Sequence, residues 1–170
     1  MKDSKGFTLI ELMIVIAVIV ILAVVATPRL LRSKLSANES DAIGALRTLS
    51  SAQTNFQASG SIDADSDGVG EYGSFVDLSS ATPAFIDDTL GSGKKSGYFF
   101  TVTTPALVNT AEIMWEATAF PVVKGRTGNR TFYINESGIL RGSDYGGAVG
   151  GVGIPATRAL AVPIAPPVGG

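Results

Sequence analysis

From Phe7 to Thr27 the chain is apolar almost without a break, and Leu12 to Thr27 contains no charged residue. Glu11 is the one charge within this run. A helix needs about 20 apolar residues to cross a hydrocarbon layer of about 30 Å. The run is rich in Val and Ile but too long for one strand. In lipid the backbone must satisfy its own hydrogen bonds, which selects helix. Pro28 closes the run. A proline inside a helix removes one hydrogen bond and costs about 3 kcal/mol in water, so a kink or a loosened stretch is expected around Thr27–Pro28.

Beyond Pro28 the pattern changes. Leu31, Leu35, Ala42, Leu46, Leu49 and Phe56 recur at spacings of three, four or seven. This is one apolar stripe on an amphipathic helix. Arg32, Lys34, Glu39, Asp41 and Arg47 lie mostly off it. Ser59-Gly60-Ser61 ends the helix. One helix over about 7–58 is therefore expected, its first half a membrane anchor and its second half the scaffold of a globular head.

The head reads as sheet. Residues 97–104 form one strand, and residues 111–120 a second with Ile113, Trp115 and Ala117 on one face. Residues 131–135 and 138–141 flank a turn at Asn135-Glu136-Ser137-Gly138. Neighbouring strands of this kind favour an antiparallel meander whose apolar face covers the helical stripe, an α+β head of two layers. Residues 60–95 are polar and turn-rich. Lys94-Lys95 reads as a solvated turn, and Asp87-Asp88 as a helix or turn start. The division is then 1–6, 7–28, 29–58, 59–141, and a Gly/Pro-rich tail over 142–170 that reads as loop or disordered.

Composition narrows the chemistry. The 170 residues include no Cys and no His. Disulfides, thiolate nucleophiles, Cys/His zinc sites and His-based triads are excluded, and no acid/base constellation converges, so no enzyme activity and no required cofactor are expected. Net charge is −2, which gives no reason to expect a nucleic-acid partner. Three N-x-S/T triplets begin at Asn38, Asn129 and Asn135, and no glycan is assigned to them.

Lys2 and Lys5 precede the apolar run, as in a secretory signal peptide. No small-residue cleavage site follows it: the sequence there is Ala26-Thr27-Pro28-Arg29-Leu30. Arg29, Arg32 and Lys34 flank the far side, so a positive-inside count leans slightly against a cytoplasmic N-terminus. The stretch Lys5-Gly6-Phe7-Thr8-Leu9-Ile10-Glu11-Leu12-Met13 resembles the processing motif of type IV pilins and type II secretion pseudopilins. Softer likenesses are Lys95-Ser96-Gly97-Tyr98-Phe99 and the hairpin from Phe132 to Arg141.

The resemblance implies a cytoplasmic leader of residues 1–6 in a single-pass inner-membrane precursor. A prepilin peptidase would cut between Gly6 and Phe7 and the new Phe7 amine would be N-methylated. The retained helix would polymerise with copies of itself on an inner-membrane platform driven by a separate ATPase. The product would be an extracellular pilus or a periplasmic filament. Pro28 matches a proline that type IV pilins carry. Glu11 would meet the Phe7 amine of a neighbouring subunit and set its register. The residues alone allow two other readings of Glu11: a pair with its own Phe7 amine, or a carboxylate solvated by headgroups. A carboxylate within hydrocarbon costs a few kcal/mol and usually has a partner.

Asp63-Ala64-Asp65-Ser66-Asp67-Gly68-Val69-Gly70-Glu71 is the one cluster with ligand spacing. Alternating Asp followed by Gly can wrap oxygens around calcium. The twelfth position is Ser74, where an EF-hand has Glu, so the loop is not a complete EF-hand. Glu71 or Asp77 could supply a last ligand. A solvated acidic turn is the simpler reading. Three functions remain: a pilus subunit, a pseudopilin, and a membrane-tethered, calcium-dependent binding module.

Overall fold

The computed structural model describes residues 6–106 and 108–144. The expected leader residues 1–5 and the tail from 145 onward lie outside the described residues. The chain divides into two compact units between Lys34 and Leu35.

Helix α1 comprises Leu9–Ala58 and contributes to both units. Phe7 and Thr8 precede it rather than belonging to it. Helix runs through Pro28, and Thr27 donates its Oγ1 hydrogen to Ala23 O at 2.8 Å. Thr27–Pro28 is therefore not melted in the single chain. Within the first unit fourteen large apolar side chains from Leu9 to Val25 are at least half exposed. An 18-residue window of α1 reaches a mean hydropathy of 3.3, with none of it buried. Leu31 is also exposed, and Leu35 is only half-buried. The stripe packs from Ala42 onward, later than its spacing implies.

In the second unit, Ala42, Ala45, Leu46, Leu49, Ala52 and Phe56 are buried. Three alanines share this face with Leu46, Leu49 and Phe56, the larger side chains filling the core. Gly60, at φ 59°, follows the helix and donates to Gln57 O at 3.0 Å.

Two short helices come next, α2 (Phe75–Ser80) and α3 (Asp88–Gly91). Ser74 caps α2 in a reciprocal box with Asp77, and Asp87 caps α3 by accepting from Leu90 N at 2.8 Å. The expected helix start at Asp87-Asp88 is thus present. Both helices are too short to carry a period of their own. Strand β1 is Lys94–Lys95 rather than a solvated turn; β2 is Tyr98–Thr103. After β2 comes a single helical turn, α4 (Val108–Ala111), then β3 (Glu116–Pro121), β4 (Arg130–Asn135) and β5 (Arg141–Asp144).

All neighbours are antiparallel in the order β1-β2-β3-β4-β5, the expected meander. Tyr98 lies opposite Pro121, Glu116 opposite Asn135, and Tyr133 opposite Arg141. Tyr98, Phe100, Ala117, Ala119, Phe132 and Ile134 join the helical stripe in one core with Trp115, Leu78 and Leu90. The architecture is α+β, in agreement with the sequence reading.

Two strand boundaries differ from expectation. The second strand begins at Glu116, not 111, because α4 occupies Val108–Ala111. Ile113 lies outside it and is 64 % exposed, whereas Trp115 is buried, so the two do not share a face. The turn after Asn135 is present: Gly138, at φ 69°, donates to Asn135 O at 2.9 Å. The last strand resumes only at Arg141, so residues 142–144 belong to the sheet rather than to a tail.

Candidate functional site

Two places concentrate polar chemistry, one in each unit. At the start of the chain, Gly6 is exposed and an added Cβ there would meet nothing within 4 Å. Phe7 is 93 % exposed in non-helical backbone.

Glu11 is held by Thr8. Its Oε2 accepts from Thr8 N at 2.9 Å and from Thr8 Oγ1 at 2.7 Å, and Thr8 Oγ1 accepts from Glu11 N at 3.3 Å. This is a capping box, which satisfies donors left over at a helix start. The negative charge also lies at the positive end of the helix dipole. Neither intrachain reading made from the sequence, a Phe7 pair or a headgroup-solvated acid, included Thr8. The Thr-x-x-Glu spacing was the signal for it.

In the second unit the acidic loop is built by its own backbone. Gly68 N donates to Asp63 Oδ2 at 3.1 Å, and Asp67 N to Asp65 Oδ1 at 3.3 Å. Val69 N donates to Asp67 Oδ1 at 2.8 Å, and Ala64 N to Glu71 Oε1 at 2.9 Å. Each of these carboxylates thereby spends one oxygen and keeps another. Asp63, Asp65 and Asp67 bring ligand oxygens within 4.8 Å of one another.

A second triad forms around Asp65, with Glu71 and Glu112, again within 4.8 Å. Tertiary structure brings Glu112 there. Tyr72 N donates to Ala111 O at 3.0 Å, and Gln57 Nε2 donates to Glu112 O. These bonds sew the loop's end to the turn after α4. Burial holds the Glu112 carboxyl above the usual carboxylate range, and Asp67, Asp65, Glu71 and Asp63 push it the same way. Asp77, the other ligand candidate, is committed to the α2 cap: Ser74 N reaches its Oδ2 at 2.8 Å.

The loop is also fixed to α1. Gln53, fully buried, donates from Nε2 to Gly73 O at 2.6 Å and accepts from Gly73 N at 2.9 Å. Gly70 sits so close to Gln57 O that a Cβ there would collide with it. Gly73 would meet the Phe56 ring at 2.9 Å.

Comparison with known proteins bears on the first of these places. Residues 1–27 match the family model of the prokaryotic N-terminal methylation motif. The chain thus carries the prepilin-type N-terminus that its residues resemble. Its relatives are pilus components. Over 39 residues it is 59% identical to the type IV wide pilus major component PilA4 of Thermus thermophilus, covering 23% of this chain and 30% of that protein. Over 53 residues it is 45% identical to the type IV major pilin protein PilA of Myxococcus xanthus, covering 31% of this chain and 24% of that protein. The chain therefore spans about a quarter to a third of the curated relatives it matches. No solved structure matches.

Proposed function

We propose that this chain is the precursor of a structural subunit of a type IV pilus-like filament. One observation carries the reading: a prepilin-type motif leads directly into an apolar helix that the described residues leave uncovered. Even half of the ~1.5–3 kcal/mol gained by burying each such side chain, over fourteen of them, matches or exceeds the ~5–15 kcal/mol that stabilises a whole domain. A surface of that cost is covered by lipid first and by other copies of the helix later.

In this reading the peptidase cuts after Gly6 and leaves a methylated Phe7 amine. The cationic amine then lies next to Thr8, whose partner Glu11 is the only acid in the apolar segment. A hydrogen bond to a charged group is worth about 1.5–3 kcal/mol net, and more in a dry helix bundle where the alternative is an unpaired charge. Glu11 leaves Thr8 to meet the Phe7 amine of the neighbouring subunit, which sets the axial register. The precursor is inserted once through the inner membrane with its leader in the cytoplasm. A separate ATPase drives extraction, and the filament stands outside the cell.

The named relatives are pilus components, which favours a pilus over a type II secretion filament and accords with a structural rather than catalytic role. Mass spectrometry of the mature protein tests the processing. A methylated Phe7 terminus is expected; a terminus at Met1, or beyond residue 28, overturns the reading. Glu11→Gln tests assembly: filament yield is expected to fall at least tenfold while the subunit accumulates in the membrane. A tethered binding module with a simple anchor would tolerate the change.

A further inference from the structure

We propose that Asp65, Glu71 and Glu112, bordered by Asp63 and Asp67, form a calcium site that locks the 60–72 loop to the turn leading into β3. The site goes beyond the filament reading and does not depend on how the N-terminus is processed.

The observation that points to a ligand is the set of oxygens left over. Glu71 is 5 % exposed and Glu112 8 % exposed, and each keeps one buried carboxylate oxygen, Oε2 and Oε1, without a hydrogen-bond partner. Asp63 Oδ1 is in the same condition. Burying a carboxylate oxygen with no donor or cation is costly, and two glutamates share that cost beside Asp65. Solvated acidic turns do not bury their carboxylates, so the simpler reading fits Asp65 and Asp67 but not Glu71 and Glu112.

The spacing fits one ion. Oxygens bound to one calcium at about 2.3–2.6 Å cannot lie more than about 5 Å apart. The triad Asp65–Glu71–Glu112 keeps its ligand oxygens within 4.8 Å, and Asp65 also belongs to the neighbouring triad Asp63–Asp65–Asp67, so two further carboxylates border the ion. The donors are all oxygen, which selects a hard cation over zinc or copper. Calcium accepts six to eight irregularly placed oxygens, whereas magnesium demands a near-ideal octahedron and keeps several waters. A loop whose carboxylates are already oriented by Gly68, Val69 and Ala64 amides suits the larger ion.

The consequence follows from connectivity. Glu71 ends the loop that leaves α1, and Glu112 opens the turn into β3. The ion bridges segments that are otherwise joined by the Tyr72–Ala111 backbone bond and the Gln57–Glu112 bond.

The test uses the full chain in detergent micelles, stripped with a chelator and titrated with calcium chloride by calorimetry. One saturable ion per chain is expected, with a Kd between about 10⁻⁶ and 10⁻³ M, and a rise of roughly 10 °C in the head's melting midpoint at a hundredfold excess. Terbium should replace calcium and luminesce on excitation of Tyr72, the neighbour of Glu71. Glu112→Gln should weaken calcium at least tenfold. Asp65→Asn, at an exposed loop position, should do the same without a folding defect, and Asp41→Asn on the exposed helix face should change nothing. No saturable heat up to about 10 mM calcium overturns the site. So does unchanged affinity in both Glu112→Gln and Asp65→Asn. Magnesium binding as tight as calcium overturns the choice of ion.

Discussion

The two ends of α1 are the same secondary structure with opposite surroundings. From Leu9 to Val25 apolar side chains point in every direction and the described residues bury none of them. From Ala42 to Phe56 they keep to one stripe, and that stripe is buried against a five-stranded sheet. An all-round apolar helix has no face to give to water, so it needs a cover on every side, which only a bilayer or a bundle of like helices provides. A one-sided helix needs one cover, and a local sheet is enough. In the filament proposed above, the contrast separates two jobs: polymerisation in the first segment and folding in the second.

That separation can be broken by mutation. Phe56→Ala is expected to destabilise the head by about 3–5 kcal/mol, read as the urea midpoint of the head's unfolding. Ile16→Ala, an equally apolar truncation in the first segment, should leave that midpoint unchanged and weaken only the filament. If Ile16→Ala lowers head stability as much, the two jobs are not separate.

Gln53→Leu sharpens the comparison, because it makes the buried stripe more like the apolar segment. The buried amide and carbonyl of Gly73 then lose both partners. A loss of about 2–3 kcal/mol is expected, although hydrophobicity rises. A neutral or stabilising result would mean that the stripe, like the membrane segment, asks only for apolarity.

The smallest effect concerns the surface. Lys95 Nζ donates to Asp87 Oδ2 at 2.8 Å, and together with the Leu90 amide it holds the Asp87 carboxyl below its ordinary value of 3.8. The folded chain therefore binds this proton less readily than the unfolded chain. The stability from this pair is present above the ordinary value and is lost as pH falls through the lowered one. Both side chains are exposed, so the contribution is only ~0.2–1 kcal/mol. Lys95→Met should remove that increment when unfolding is compared at about pH 6 and about pH 3. An unchanged difference would show that the Leu90 cap alone sets the carboxyl.

Some of what the sequence reading left out was legible. Thr8 and Glu11 stand at capping-box spacing. Gln53 lies on the buried stripe, at i+4 from Leu49, and a polar residue in such a position signals a buried hydrogen bond. The helices α2 and α3 were not legible, since four to six residues carry no period and their caps resemble ordinary turns. The start of β3 was misplaced because Ala111-Glu112-Ile113 alternates like a strand; α4 and the turn after it take those residues instead.

Local pattern alone settles the uncovered helix, the motif at Gly6–Phe7, the amphipathic stripe and the antiparallel meander, because each depends on spacing within one short segment. The acidic pocket is different. Alternating Asp63, Asp65 and Asp67 are written side by side, but Glu112 joins Glu71 only because α1 and the turn after α4 place them together. Whether those carboxylates face water or one another is a matter of burial, and burial belongs to the folded chain as a whole.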